Sequence, residues 1–199
     1  MSTPLANPPR CLRRPGFSLV ELLVVLGVIA VLIGILLPVL NNVRGSGQRV
    51  ACRAQLADIG RFFQMYLNDS KGKLPWVNPV PSIQPPIDGK PLVEVFEPYV
   101  RGAKDVWRCR LDAITRQWAG APTGFETYFA REGTSYLYNP MLAQLYRGRM
   151  INDHPLYKSG KQNQLAVFWE FEPFHGKPDT RGSMNYLFAD MHVGDLADE

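Results

Sequence analysis

One carboxylate, Glu21, stands in an apolar run from Phe17 to Leu40 that holds no other charged residue. At the centre of a membrane-spanning segment such a group costs about 2.5–3.5 kcal/mol on insertion scales, and less near the interface. Two roles suit it. Near the membrane surface it snorkels or takes up a proton in an ordinary uncleaved anchor. Deeper, it needs a partner of opposite charge. The next charged residue along the chain is Arg44, so that partner must come from another chain or from a charge created by processing.

The other residues capable of chemistry are scattered. His154, His175 and His192 fall in no metal-ligand spacing, and read as surface or satisfied core histidines. Asp190, Asp195, Asp198 and Glu199 form the best oxygen-ligand cluster. Calcium needs six to eight converging oxygens, which this spacing does not specify, so the default is a solvated acidic tail. No Gly-x-Ser-x-Gly elbow, P-loop or dinucleotide fingerprint occurs. The sequence thus implies no enzyme, cofactor or metal. Of the three cysteines, Cys11 precedes the apolar run, leaving Cys52 and Cys109 as the candidate pair. They read as a bridge in an oxidising compartment or as two small buried hydrophobes.

The net charge of +4 invites a nucleic-acid partner. Arg10, Arg13 and Arg14 all precede the apolar run, however. Without them 19 basic residues face 18 acidic ones, and no basic patch remains to track a phosphate backbone.

These residues must be positioned by a few elements. Phe17 to Leu40 is 24 residues, about 36 Å as a helix, which spans a ~30 Å hydrocarbon core with some tilt. A secretory signal would have a shorter apolar region, about 7–15 residues, then a small-residue cleavage site. Arg44, Arg49 and Arg53 balance the three leader arginines, so charge alone gives no orientation. Pro38 would bend or locally open the helix, and Gly45-Ser46-Gly47 is a second weak point. Cys52, Leu56, Ile59, Phe63 and Tyr66 then recur at helical spacing and predict an amphipathic helix with one buried stripe, closed by Asn68 to Gly72.

Residues 74–98 hold seven prolines, a density that predicts a surface loop interrupted by a short helix near Leu92 to Val100. The remainder reads as β-structure. Residues 134–139 predict a short strand. Leu165, Val167, Trp169 and Phe171 alternate with Ala166, Phe168, Glu170 and Glu172, and Met184 to Leu196 predicts a terminal hairpin. The fold class is α+β, a long N-terminal helix packed on a small antiparallel sheet. Trp76, Trp107, Trp118 and Trp169 read as core, or as a binding face.

The stretch Gly16-Phe17-Ser18-Leu19-Val20-Glu21-Leu22-Leu23-Val24-Val25 resembles the processing site of type IV prepilins and of the pseudopilins of type II secretion systems. The resemblance implies a pilin-like fold and a cytoplasmic leader, residues 1–16, cut between Gly16 and Phe17 by a prepilin peptidase that also methylates Phe17. It implies a transmembrane and assembly helix over 17–40, an amphipathic continuation over 41–70 and a globular domain over 71–199. The new ammonium group at Phe17 supplies the missing charge, since in that family a glutamate four residues on pairs with the N-terminus of a neighbouring subunit. Such a pair offsets burial only in good geometry, so Glu21 would favour subunits stacked in register. The implied location is the inner membrane, single-pass, with the domain periplasmic or in an extracellular filament. The implied partners are the peptidase, other pilin subunits and, indirectly, an assembly platform and ATPase.

Two further stretches are similar to a large prepilin-like group. RVACRAQLADIGRFFQMYLNDSKGKLP matches its helix well. DVWRCRLDA has Arg110 where the group has proline, and the terminal hairpin has Thr180 and Met191 where the group has a histidine and a glycine. A role for that histidine does not carry over to Thr180, and Met191 predicts a turn that is longer or of another type. The function implied is a structural filament subunit; the other class is a membrane-anchored binding protein for adhesion or DNA uptake. Mass spectrometry of the mature N-terminal peptide is expected to find methylated Phe17, whereas an intact Met1 or Ser2 on the membrane-embedded protein would refute processing.

Overall fold

A computed structural model describes residues 18–83, 88–116, 119 and 121–195, without the side chains of 38, 39, 41 and 42. Gly16, Phe17, Trp118 and Asp198 lie outside the described residues. The chain divides into two compact units, Met1–Arg44 and Gly45–Glu199. The first contributes the start of helix α1 (Leu19–Asp69), which is assigned as helix through Pro38 and Gly45 to Gly47. In it, Leu19–Leu37 is long and apolar enough to cross a membrane, about 28 Å at ~1.5 Å per residue.

In the second unit α1 turns one stripe inward. Cys52, Leu56, Ile59, Phe63 and Leu67 are buried, while Tyr66 is half-buried, so the stripe ends on Leu67 rather than Tyr66. The helix closes as the sequence predicts. Lys71 and Gly72 take positive φ, and the Gly72 N–H donates to the Leu67 carbonyl at 2.6 Å, a left-handed C-terminal cap.

The stripe packs into one core with a four-stranded antiparallel sheet. Its order is β3 (Tyr136–Tyr138), β4 (Ala166–Glu170), β5 (Tyr186–Phe188) and β6 (Val193–Gly194). Phe63 is the centre of contact, with ring centroids 5.7 Å from Phe168, 6.3 Å from Tyr138 and 6.4 Å from Phe96. Gly60 permits the close approach of β5, because a Cβ there would stand 2.9 Å from Leu187 Cδ1.

The alternation expected along 165–172 does not form one face. A register shift between Ala166 and Phe168 passes the inward position from Val167 to Phe168, as a bulge inserts an extra residue and reverses the pleat. Beyond it Phe168 joins the main core, and Glu170 is fully buried opposite Tyr136. Trp169 and Phe171 fall instead to a second cluster with Val80, Tyr128 and Leu137, where Tyr128 and Phe171 stack at 4.5 Å.

The proline-rich stretch also differs from the surface loop expected. Leu74, Val77, Asn78 and Val80 are buried, and β1 (Val77–Asn78) pairs in parallel with β2 (Lys90–Pro91). α2 (Leu92–Val100) follows and buries Leu92, Phe96 and Val100. Short helices α3 (Tyr128–Glu132), α4 (Pro140–Leu145) and α5 (Pro155–Lys158) complete the unit. At the terminal hairpin Met191 takes φ 70°, with its N–H donating to the Phe188 carbonyl at 2.9 Å and the Phe188 N–H to the His192 carbonyl at 3.0 Å. This is a three-residue hairpin loop in which methionine occupies the left-handed position that favours glycine.

Glu172 ties the loop before α3 to that helix. It accepts the Thr115 hydroxyl, the Arg116 N–H at 2.9 Å, the Thr115 N–H at 3.2 Å and the Tyr128 hydroxyl at 2.5 Å. Burial alone would push its carboxyl up, but these hydrogen bonds outweigh burial and hold it below the usual value. A carboxyl depressed in the folded state stabilises above its unfolded value, and that stability is lost as pH falls through the folded one. Glu172→Gln is therefore expected to lose less stability than the parent between about pH 6 and about pH 3, measured by urea denaturation; parallel losses would remove this role.

Candidate functional site

The first candidate site is the start of α1. Glu21 lies in its first turn and is exposed, and the Leu22 N–H donates to the Ser18 carbonyl at 3.1 Å. Around it the large apolar residues from Leu19 to Leu37 are all exposed, by 45% to 77%. That much apolar surface on one helix requires lipid or other helices, since each buried Å² returns about 25 cal/mol.

The second lies inside the globular unit. Cys52 on α1 and Cys109 are joined as a disulfide, their Cα atoms 5.4 Å apart. Glu170 Oε1 accepts from His175 Nε2 at 2.8 Å, and His175 Nε2 is 3.9 Å from Cys109 Sγ. The side chains of His175 and Glu170 are 1% and 0% exposed. Glu170 also accepts from the Asn185 side chain at 2.9 Å and its N–H at 2.8 Å.

A polar chain fixes Cys109. Its N–H donates to Ser135 Oγ at 3.0 Å, and that hydroxyl donates to Asp112 at 2.7 Å. Asp112 also accepts the Tyr128 and Phe129 N–H groups at 3.0 and 2.7 Å. Burial nevertheless pushes the Asp112 carboxyl up, against those bonds and the Arg108 charge. The turn at Arg110 forms without proline, with the Asp112 N–H donating to the Cys109 carbonyl at 3.2 Å.

The remaining sequence candidates do not gather. Asp190 pairs with His192 at 2.6 Å, while Asp195 accepts the Gly182 N–H and lies 3.9 Å from Arg49. His154 is buried and accepts the Leu156 N–H at the start of α5; burial holds its imidazole below the usual value. Thr180 is exposed in a turn onto the Lys177 carbonyl. Trp107 is in the core, Trp169 packs on the second cluster, and Trp76 is exposed with the Arg147 guanidinium 4.4 Å over its ring. Sequence reading missed His175 and Glu170 as members of a cluster. Their ligand atoms meet those of residues 52 and 109 only through the fold, and no local spacing signals it.

Residues 12–37 match the prokaryotic N-terminal methylation motif. No curated protein and no solved structure matches the chain. The motif supports a kinship with the type IV prepilin-like and pseudopilin proteins, and the long apolar helix followed by helices and a small antiparallel sheet is consistent with a pilin-like fold. Proteins that carry this motif are pilin- and pseudopilin-type precursors, structural subunits on which a prepilin peptidase acts, and the motif supports a precursor of that type here. Its apolar helix fits a single-pass membrane anchor.

The disulfide spans 57 residues, a loop whose closure is worth about 4 kcal/mol in the chain-entropy account. Replacing both cysteines by serine in the full chain is expected to lower stability by about that amount, followed by fluorescence of the buried Trp107. A change below about 1 kcal/mol would show that the bridge constrains little.

Proposed function

We propose that this chain is a structural subunit, pseudopilin or pilin-like, of a type II secretion or type IV pilus-like filament. It is made as a precursor, cut between Gly16 and Phe17, methylated at Phe17 and held in the inner membrane through residues 17–40 until assembly. Residues 41–70 continue the helix and 71–199 form the globular domain, which lies in the periplasm or on the filament surface. The catalytic work belongs to the peptidase and an assembly ATPase.

The observation that carries this reading is the methylation motif over 12–37 with Glu21 as the one charge in an exposed apolar helix face. In lipid a carboxylate near the helix start is tolerable only with a partner or near the interface. An ammonium group on the processed N-terminus of a neighbouring subunit provides one. Packing the helices together then buries the apolar surface and the ion pair at once, which selects a register between subunits as well as driving association.

Glu21→Ala is expected to leave membrane insertion and leader cleavage intact while reducing filament assembly at least tenfold, equivalent to about 1.4 kcal/mol per association step. Sheared filaments and membrane fractions are quantified by immunoblot. Normal assembly of the processed variant would refute the role of Glu21, and an uncleaved but functional protein would refute the wider reading.

A further inference from the structure

The globular unit holds a second feature that a filament subunit does not require. The ligand atoms of Cys52, Cys109, Glu170 and His175 all lie within 4.8 Å of one another. Sulfur from two cysteines, one imidazole nitrogen and one carboxylate oxygen is a donor set that suits tetrahedral zinc. We propose that these four residues are the ligands of a zinc site that forms when the Cys52–Cys109 disulfide is reduced, so that bridge and metal are alternative states of one cluster.

Three observations support it. First, Glu170 is fully buried beside a disulfide, which carries no charge. Buried carboxylates are paired, protonated or bound to metal, and two thiolates with Glu170 and neutral His175 would be neutralised to a single negative charge by Zn²⁺. Second, His175 Nδ1 is buried and has no hydrogen-bond partner among the described residues. The ring is therefore positioned through Nε2 alone, the nitrogen that faces Cys109 and Glu170. Third, Asn185 fastens Glu170 through its backbone and side chain, the kind of outer support that orients a ligating carboxylate.

The geometry asks for little movement. With Zn–S near 2.3 Å, tetrahedral coordination sets the sulfurs about 3.8 Å apart, a separation that side-chain rotation can supply across Cα atoms 5.4 Å apart. The steps balance. A dithiol reductant gives two electrons and two protons to the disulfide, breaking the S–S bond and becoming a disulfide itself. Zinc then displaces the two thiol protons to solvent, and the proton on His175 Nε2 gives way to one on Nδ1. Oxidation by a disulfide of the same class reverses the sequence and expels the metal. The bulge in β4 makes this arrangement, because it turns Glu170 inward toward α1.

The test uses the full chain in detergent, reduced with a dithiol without oxygen and dialysed against Zn²⁺ or Co²⁺. One metal per reduced chain is expected, with thiolate-to-cobalt charge-transfer absorption and the visible bands of tetrahedral cobalt, and none for the disulfide form. Glu170→Gln and His175→Ala are each expected to weaken cobalt binding more than about 100-fold. Asn185→Ala, which loses an outer partner, should weaken it about 10–100-fold. A reduced chain that remains metal-free, folded or unfolded, overturns the proposal. So does a cobalt spectrum without thiolate absorption, or unchanged affinity in both the Glu170 and His175 variants.

Discussion

The globular unit depends on the burial of one stripe of α1. Cys52, Leu56, Ile59, Phe63 and Leu67 are all nearly inaccessible and share one core with the sheet, which is small and has short strands. A sheet of two- to five-residue strands cannot bury its own inner face; it needs a helix laid over it. The helix likewise needs the sheet, since an amphipathic segment gains most of its stability from packing its apolar face. Gly60 matters here for what it lacks, as the absent Cβ is what lets Leu187 lie against the helix.

The same seam concentrates polar groups at one end. Tyr136 donates from its hydroxyl to the Cys52 carbonyl at 3.3 Å, the disulfide ties α1 to the segment after α2, and Glu170 with His175 sits alongside. Burial in such surroundings makes each unpaired polar atom costly, and this explains the density of hydrogen bonds from Asp112, Ser135 and Asn185. Away from this cluster, Arg131 and Glu132 form an ion pair with both side chains inaccessible, and Ser82 supplies Glu132 with further donors. Buried pairs of this kind stabilise little by themselves, but removing either partner strands a charge, so they hold the loop at Ser82 to α3 rather than strengthen the core.

The N-terminal part of α1 obeys a different constraint. Its apolar residues face outward all round, which in a globular protein would be an aggregation hazard and which suits contact with lipid or with other apolar helices. A single helix thus carries two apolar stretches, one buried within the globular unit and one left exposed. The change falls near Gly45, where the compact units divide, and the sequence marks it with Arg44, Gly45 and Gly47 shortly after the apolar run ends at Leu40.

Much of this was legible in the residues. The length of the apolar run, the lone carboxylate and the 3.6-residue spacing from Cys52 onward are local patterns, and local patterns determine helices because helix hydrogen bonds and side-chain neighbours are themselves local. The methylation motif was legible for the same reason, being contiguous. What only the tertiary structure decided is non-local. Which side of β4 faces the helix turns on one extra residue at the bulge, and a period of two offers no warning of a slip by one. Met191 sits in a left-handed turn position because the strands on either side require it, not because methionine prefers it. The meeting of Cys52, Cys109, Glu170 and His175 depends on a helix, a strand and two separate non-helical segments brought together from across the chain. Sequence spacing carries no trace of distances that exist only once the core has closed.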